Sequence, residues 1–197
     1  MKDIKRNPHR MIYQSSYDRG LEMALKMWPD IKKEVPDAEL HVFYGWQLFV
    51  KFYHDNPSSM GWKARMDELM KQPGITDHGR VLQKDIIPEI QKSGIYIYPT
   101  TFGEISCISA MKAQIFGAIP VVINYAALQT TVQFGRKING DIYDSETKEE
   151  FKRQLIEELK NPTSEKEREK MMAWARKEYS WDRVAQSWDI EFKRDTK

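Results

Sequence analysis

The sequence predicts a single doubly wound parallel α/β domain with a C-terminal helical extension. Three observations carry this. Short apolar runs alternate with segments of helical periodicity over most of the chain. Most of those runs end at a glycine or proline, as buried strands do. From Ser145 onward the pattern changes to charged amphipathic helices of mixed sign, the ordinary signature of solvated helix faces.

Element by element, residues 1–10 are polar and basic and read as a linker. Met11–Gln14 reads as a buried strand, and Ser15–Asp18 as a polar turn with helix-capping residues. Leu21, Leu25, Trp28 and Ile31 recur at helical spacing, and Pro36 closes that helix. Leu40–Tyr44 is a second strand, stopped by Gly45. Between Gln47 and Lys71 the clear features are a loop at Asn56–Ser59 and an apolar stripe of Trp62, Met66, Leu69 and Met70. Ile75–Val81 reads as a short strand, Lys84–Lys92 as a helix, and Gly94–Tyr98 as a strand ending at Pro99. A helix over Ser106–Phe116, a strand over Ile119–Ile123 and a helix over Ala126–Phe134 follow, the two helices stopped by Gly117 and Gly135. Glu146–Lys160, Ser164–Lys177 and Trp181–Lys193 complete the chain. The expected organisation is thus a linker at 1–10, a Rossmann-like domain at 11–145, and helices at 146–197 packed on it.

Composition narrows the function classes. Lys and Arg number 31 against 29 Asp and Glu, a net charge of +2, which gives no reason to expect nucleic-acid binding. The apolar runs are far shorter than the roughly 18 residues of a membrane span. No apolar segment follows Met1, so a cytoplasmic protein is expected. A single cysteine, Cys107, makes no internal disulfide and fits a reducing compartment. The glycine-rich dinucleotide and P-loop fingerprints are absent, as is Gly-x-Ser-x-Gly. His9, His41, His54 and His78 lack metal-ligand spacing, so no metal site is expected.

The informative stretch is Pro99-Thr-Thr-Phe-Gly-Glu104-Ile-Ser106-Cys107-Ile108, continuing through Lys112 to Gly117-Ala-Ile-Pro120-Val121. It reads as strand end, loop, helix, glycine stop and strand. Open parallel sheets bind ligands beyond the carboxyl ends of their strands. Ser106 is positioned as an N-cap, and the free N–H groups of a first helical turn hold anions. Glu104 beside such a turn has two readings: a carboxylate at a sugar-diphosphate site, or a helix cap. Cys107 at that turn reads as a small packing residue rather than a nucleophile.

This stretch resembles the donor-binding motif of retaining GT-B glycosyltransferases of group 1, similar to glycosyltransferase family 4: Pro-Ser/Thr, a Glu, seven residues, a second Glu, and later Gly-x-Pro-Val. Further matches follow in order: Ser15-Ser16-Tyr17-Asp18-Arg19-Gly20-Leu21; Val35-Pro36-Asp37-Ala38-Glu39-Leu40 with Tyr44-Gly45; Gly79-Arg80-Val81; and Tyr179-Ser180-Trp181. The resemblance spans roughly residues 10–190. It implies half of a GT-B fold and the transfer of a hexose from a UDP- or GDP-sugar to a glycan or other hydroxyl acceptor, with retention. It further implies that Glu104 holds hydroxyls of the transferred sugar and Arg19 neutralises the leaving diphosphate. Ser106, Cys107 and Ile108 would offer backbone N–H groups to phosphate. Ser16, Gly45, Arg80 and Val81 would line the nucleotide. No metal is required in such a site.

Two departures stand out. Lys112 occupies the place of the second Glu, whose family role is to accept ribose hydroxyls. An ammonium has donors and no acceptor, so Lys112 either donates to ribose or phosphate oxygens or is a solvated helix lysine. Ser16 stands where many members carry a first basic residue. The chain is also short: two α/β domains take roughly 300–400 residues. The implied partner is a missing N-terminal acceptor domain or subunit, and peripheral membrane association of the full enzyme is compatible with that role. The rival reading is a non-catalytic sugar-nucleotide-binding or interaction module.

Overall fold

In a computed structural model, residues 4–194 are described. The chain runs β1 (Asn7–Tyr13), α1 (Leu21–Glu34), β2 (Glu39–Val42), α2 (Gln47–Tyr53), α3 (Pro57–Leu69), β3 (Ile75–Asp77), α4 (Gln83–Lys92) and β4 (Ser93–Tyr98). It continues as α5 (Ile108–Phe116), β5 (Ile119–Ile123), α6 (Leu128–Thr131), β6 (Arg136–Ile138), α7 (Ser145–Lys160), α8 (Glu165–Glu178) and α9 (Trp181–Arg194).

The strands form one six-stranded sheet in the order β3-β2-β1-β4-β5-β6, with every pair parallel. This is the Rossmann-like, doubly wound arrangement. The order reverses direction between β1 and β4, which places a crevice over their carboxyl ends. Helices cover both faces, so β4 and β5 are buried at every residue and read as continuous apolar runs rather than alternating ones.

Helix α1 buries Leu21, Leu25, Trp28 and Ile31 on one stripe. Its proline, Pro29, lies on the exposed side. Helix α7 buries Phe151, Leu155 and Leu159, and α8 buries Met171 and Ala175. Helix α9 buries none of its residues.

The structure differs from the sequence reading at several ends. The first strand begins at Asn7, so residues 7–10 are strand and not linker; Arg10 pairs in register with Glu39 of β2. Residues 1–3 of the expected linker and residues 195–197 of the expected C-terminal region lie outside the described residues. The short third strand ends at Asp77, because Gly79 turns the chain back at a φ of +62°. The helix expected over Ala126–Phe134 shortens to Leu128–Thr131. Strand β6 and helix α2 were not anticipated.

Candidate functional site

The crevice is built where two loops meet, Gln14–Gly20 after β1 and Pro99–Cys107 after β4. Gly20 lets them meet: its φ is +98°, and a Cβ there would lie 2.1 Å from the Pro99 carbonyl oxygen. The Tyr13 hydroxyl holds the first loop in shape. It donates to the Ser16 carbonyl (2.7 Å) and lies 3.1 Å from that of Arg19. Ser16 therefore acts through its backbone, its carbonyl also taking the Arg19 N–H at 3.0 Å.

At the junction, Arg19 and Glu104 pair across 85 residues of sequence, Nη1 to Oε1 at 3.2 Å. The Tyr98 hydroxyl, at the end of β4, donates to the same Oε1 at 2.6 Å, and Ser15 Oγ lies 3.1 Å from that hydroxyl. The Arg19 guanidinium also stacks 3.7 Å above the Phe102 ring, a cation–π contact worth about 0.5–2 kcal/mol. Burial raises the pKa of Tyr98 and the bond to Glu104 adds to it, so this phenol stays a proton donor. Burial works against the charge of Arg19, but Glu104, Tyr98 and Asp18 outweigh it and the net shift is upward. Glu104 is thus a carboxylate held by a phenol and a guanidinium, and it does not cap the helix.

A cavity of 520 Å³ shares the first of these loops with the junction through Gln14. Its walls are Gln14 after β1, Phe43 and Tyr44 after β2, Arg80–Leu82 before α4, Gln83 and Ile86 of α4, and Ile108, Ser109 and Lys112 of α5. Its charged lining residues, Arg80 and Lys112, are both cationic. Lys112 Nζ donates to the Gln83 side chain and so bridges α5 to α4. The first helical bond of α5 runs from Met111 N–H to the Cys107 carbonyl at 3.1 Å, which leaves the N–H groups of Ile108, Ser109 and Ala110 ahead of it.

Of the residues singled out in the sequence, Arg80, Val81, Ile108 and Lys112 line this cavity; Arg19 and Glu104 meet each other but do not line it. Gly45 is one residue from the lining Tyr44. Its N–H takes the Tyr17 hydroxyl as acceptor (3.0 Å), and a Cβ on it would come within 2.9 Å of the Arg80 nitrogen. Ser106 requires correction. The helix begins two residues later than expected, with Cys107 at the N-cap and no side-chain cap, and Ser106 faces a different groove. Cys107 is buried, with Sγ 3.4 Å from Ser109 Oγ and 3.8 Å from the Tyr96 hydroxyl, as a packing residue would be.

Tyr98, Phe102, Gln14 and Gln83 went unread in the sequence. A hydroxylated aromatic as the last residue of a buried strand, just before Pro99, is the one signal that pointed to Tyr98. Among the described residues, no three His, Cys, Asp or Glu side chains converge as metal ligands would. No helix there is long and apolar enough to cross a membrane.

A family model described as glycosyl transferases group 1 matches residues 5–178. Among curated proteins none matches. Solved structures do. The GtfA/B complex superposes with a TM-score of 0.73 at 14% identity, over 98% of this chain and 37% of that one. The pneumococcal O-GlcNAc transferase GtfA in complex with UDP and GlcNAc gives 0.71 at 13%, over 98% and 37%. Sucrose-phosphate synthase from Thermosynechococcus elongatus gives 0.73 at 13%, over 94% and 45%. At such identities the likeness speaks for the fold alone, and the chain spans less than half the length of each of these structures.

Proposed function

The chain belongs to the glycosyl transferases group 1 family, and from that premise we propose that it is the donor-binding half of a GT-B glycosyltransferase, holding a nucleoside diphosphate sugar. The observation that carries this is the Arg19–Glu104 pair at the point where the strand order reverses, with the loop of Arg19 also lining, through Gln14, a cavity whose charges are all positive.

In this reading the nucleoside lies in the 520 Å³ cavity, against Tyr44, Val81 and Ile108. The diphosphate faces the unused N–H groups of α5 and the Arg19 guanidinium. Together they stabilise the negative charge that develops on the leaving group, with no metal required. Arg80 and Lys112 add cationic charge along the same wall. Glu104 accepts hydroxyls of the transferred sugar, and the Tyr98 hydroxyl fixes its orientation. Arg19 then has two anionic partners in turn, the carboxylate before the donor arrives and the diphosphate after it.

The coverage of 37–45% of the structural relatives supports an acceptor side supplied by another domain or subunit. Two relatives bear on this reading, one solved as a complex of GtfA with GtfB and one with UDP and GlcNAc bound. Transfer with retention, to a hydroxyl of a glycan, is the activity proposed for the complete enzyme. The test is calorimetric titration of the chain with UDP, GDP and their sugar conjugates. Saturable binding without sugar transfer is expected. Absence of binding to every nucleotide overturns the donor-site reading, and transfer by the chain alone overturns the half-enzyme reading.

A further inference from the structure

A second groove, of 750 Å³, lies on the other flank of the loop that carries Glu104. One wall is Ile105 and Ser106 of that loop. The others are Met111 of α5, the end of α6 with the segment after it, and the end of α8. Three half-buried rings form a continuous surface in it: Phe134 and Trp174 have centroids 5.6 Å apart, and Trp174 meets Tyr179 edge-on at 5.4 Å. The Tyr179 hydroxyl is committed to the Thr131 carbonyl at 2.5 Å, which fixes its ring, and burial pushes its pKa up to about 12.

The charge of this groove is opposite to that of the nucleotide cavity. No lysine or arginine lines it; its one ionisable carboxylate is Glu178, and the exposed Gln133 adds an amide. An anionic ligand would meet the Glu178 carboxylate, whose partner Arg183 is not part of the lining. Glu178 faces Arg183 at 3.7 Å and the Gln133 amide donates to the Thr130 carbonyl at 2.6 Å, and each keeps capacity for a hydroxyl. Ring surface beside amide and carboxylate groups suits a molecule with an apolar C–H face and a rim of hydroxyls. We propose that this groove binds a neutral saccharide. Its position adds to the argument. The Ala127 N–H donates to the Glu104 carbonyl at 3.1 Å, so the loop between the groove and the Arg19–Glu104 junction is tied to the segment leading into α6. A saccharide held here lies one loop's width from Glu104. The groove needs no nucleotide, so the proposal stands apart from the donor reading.

The test follows the tryptophan indole N–H signals of the isotope-labelled chain by NMR. The probes are maltose, cellobiose and chitobiose, their trimers and their monosaccharides, with no nucleotide added. Trp174→Phe assigns the Trp174 signal, and Trp181 and Trp188, 86% and 58% exposed on α9, report unspecific contact. A saturable shift of Trp174 alone is expected, weakened about three- to tenfold in Gln133→Ala, the loss of one neutral hydrogen bond. Gln133 is exposed, so that variant keeps the readout even where Trp174→Phe folds poorly. Tighter binding of trimers than of monosaccharides identifies a glycan chain as the source; equal binding identifies a single sugar. No saturable movement of Trp174 with any probe, equal movement of all three indoles, or unchanged affinity in Gln133→Ala each overturns the proposal.

Discussion

Cations sit at both ends of the sheet, and they are held in different ways. At the amino end, Arg6 donates to the Ser93 carbonyl (2.6 Å) and the Phe116 carbonyl (2.9 Å), and Arg168 to the carbonyls of Gly94 (3.0 Å) and Gly117. Arg168 is 3% exposed. Burial and mutual repulsion lower the pKa of Arg6 to about 10, and burial lowers that of Arg168. At the carboxyl end, Arg19 is bonded to a carboxylate side chain and Lys112 to a side-chain amide, and the pKa of Arg19 moves up. Backbone carbonyls cannot rotate away from their partners, whereas side chains can. The first pair is therefore framework, and the second set is free to trade its partners for a ligand.

The largest effect that sharpens this contrast is on stability. Arg168→Met should lower the unfolding free energy by about 3 kcal/mol, since it leaves buried carbonyls without their charged donor. Denaturant midpoints measure this, and nucleotide affinity of the folded fraction should not move. Arg19→Ala should do the reverse. Diphosphate affinity falls by about 1–3 kcal/mol while the denaturation midpoint barely shifts. Equal affinity in parent and variant would assign Arg19 to the framework and break the comparison.

Next in size is Glu104→Gln. An amide offers one acceptor where the carboxylate offers two oxygens, so a sugar nucleotide should lose about 1 kcal/mol more than the bare diphosphate does. Equal losses would mean that Glu104 acts only by orienting Arg19. The smallest effect is expected for Lys112→Met. Its half-exposed ammonium in a screened cleft should contribute about 0.5 kcal/mol to nucleotide affinity and nothing measurable to stability. Both are read by calorimetry beside the parent chain.

Much of this architecture is legible locally. The strands Met11–Tyr13, Gly94–Tyr98 and Ile119–Ile123 are buried on both faces and bounded by turn residues, so their runs stand out in the sequence. Strand β6 does not, because Arg-Lys-Ile at a sheet edge carries two polar side chains out of three. Helix α2 is hidden for the opposite reason: Leu48, Phe49, Val50, Phe52 and Tyr53 make it apolar on all sides although none is buried, so no polar face marks out a helical stripe. The start of α5 was misplaced because Ser106 looks like a cap but makes no cap bond. Arg19 and Glu104 were each found from their motifs, but their contact was not. Nor were the phenol of Tyr98 and the Gln83 partner of Lys112, which depend on the pairing of distant loops and leave no periodic trace.

The placement of Gly20 against Pro99 bears on how the molecule comes into being. Strands β1–β3 arise from residues 7–77 and strands β4–β6 from residues 93–138, and each group has its own neighbours in the sheet. The central β1–β4 pair joins the two groups, and Gly20 packs on that seam. Closing it brings together residues about 80 positions apart, an entropic cost that only long-range contacts repay. Neither half of the sheet contains the junction, so a folding intermediate with one half formed can hold native strands and still lack it. On the donor-site proposal, nucleotide binding reports completed assembly, and a nucleotide present during refolding should favour the last step rather than the first.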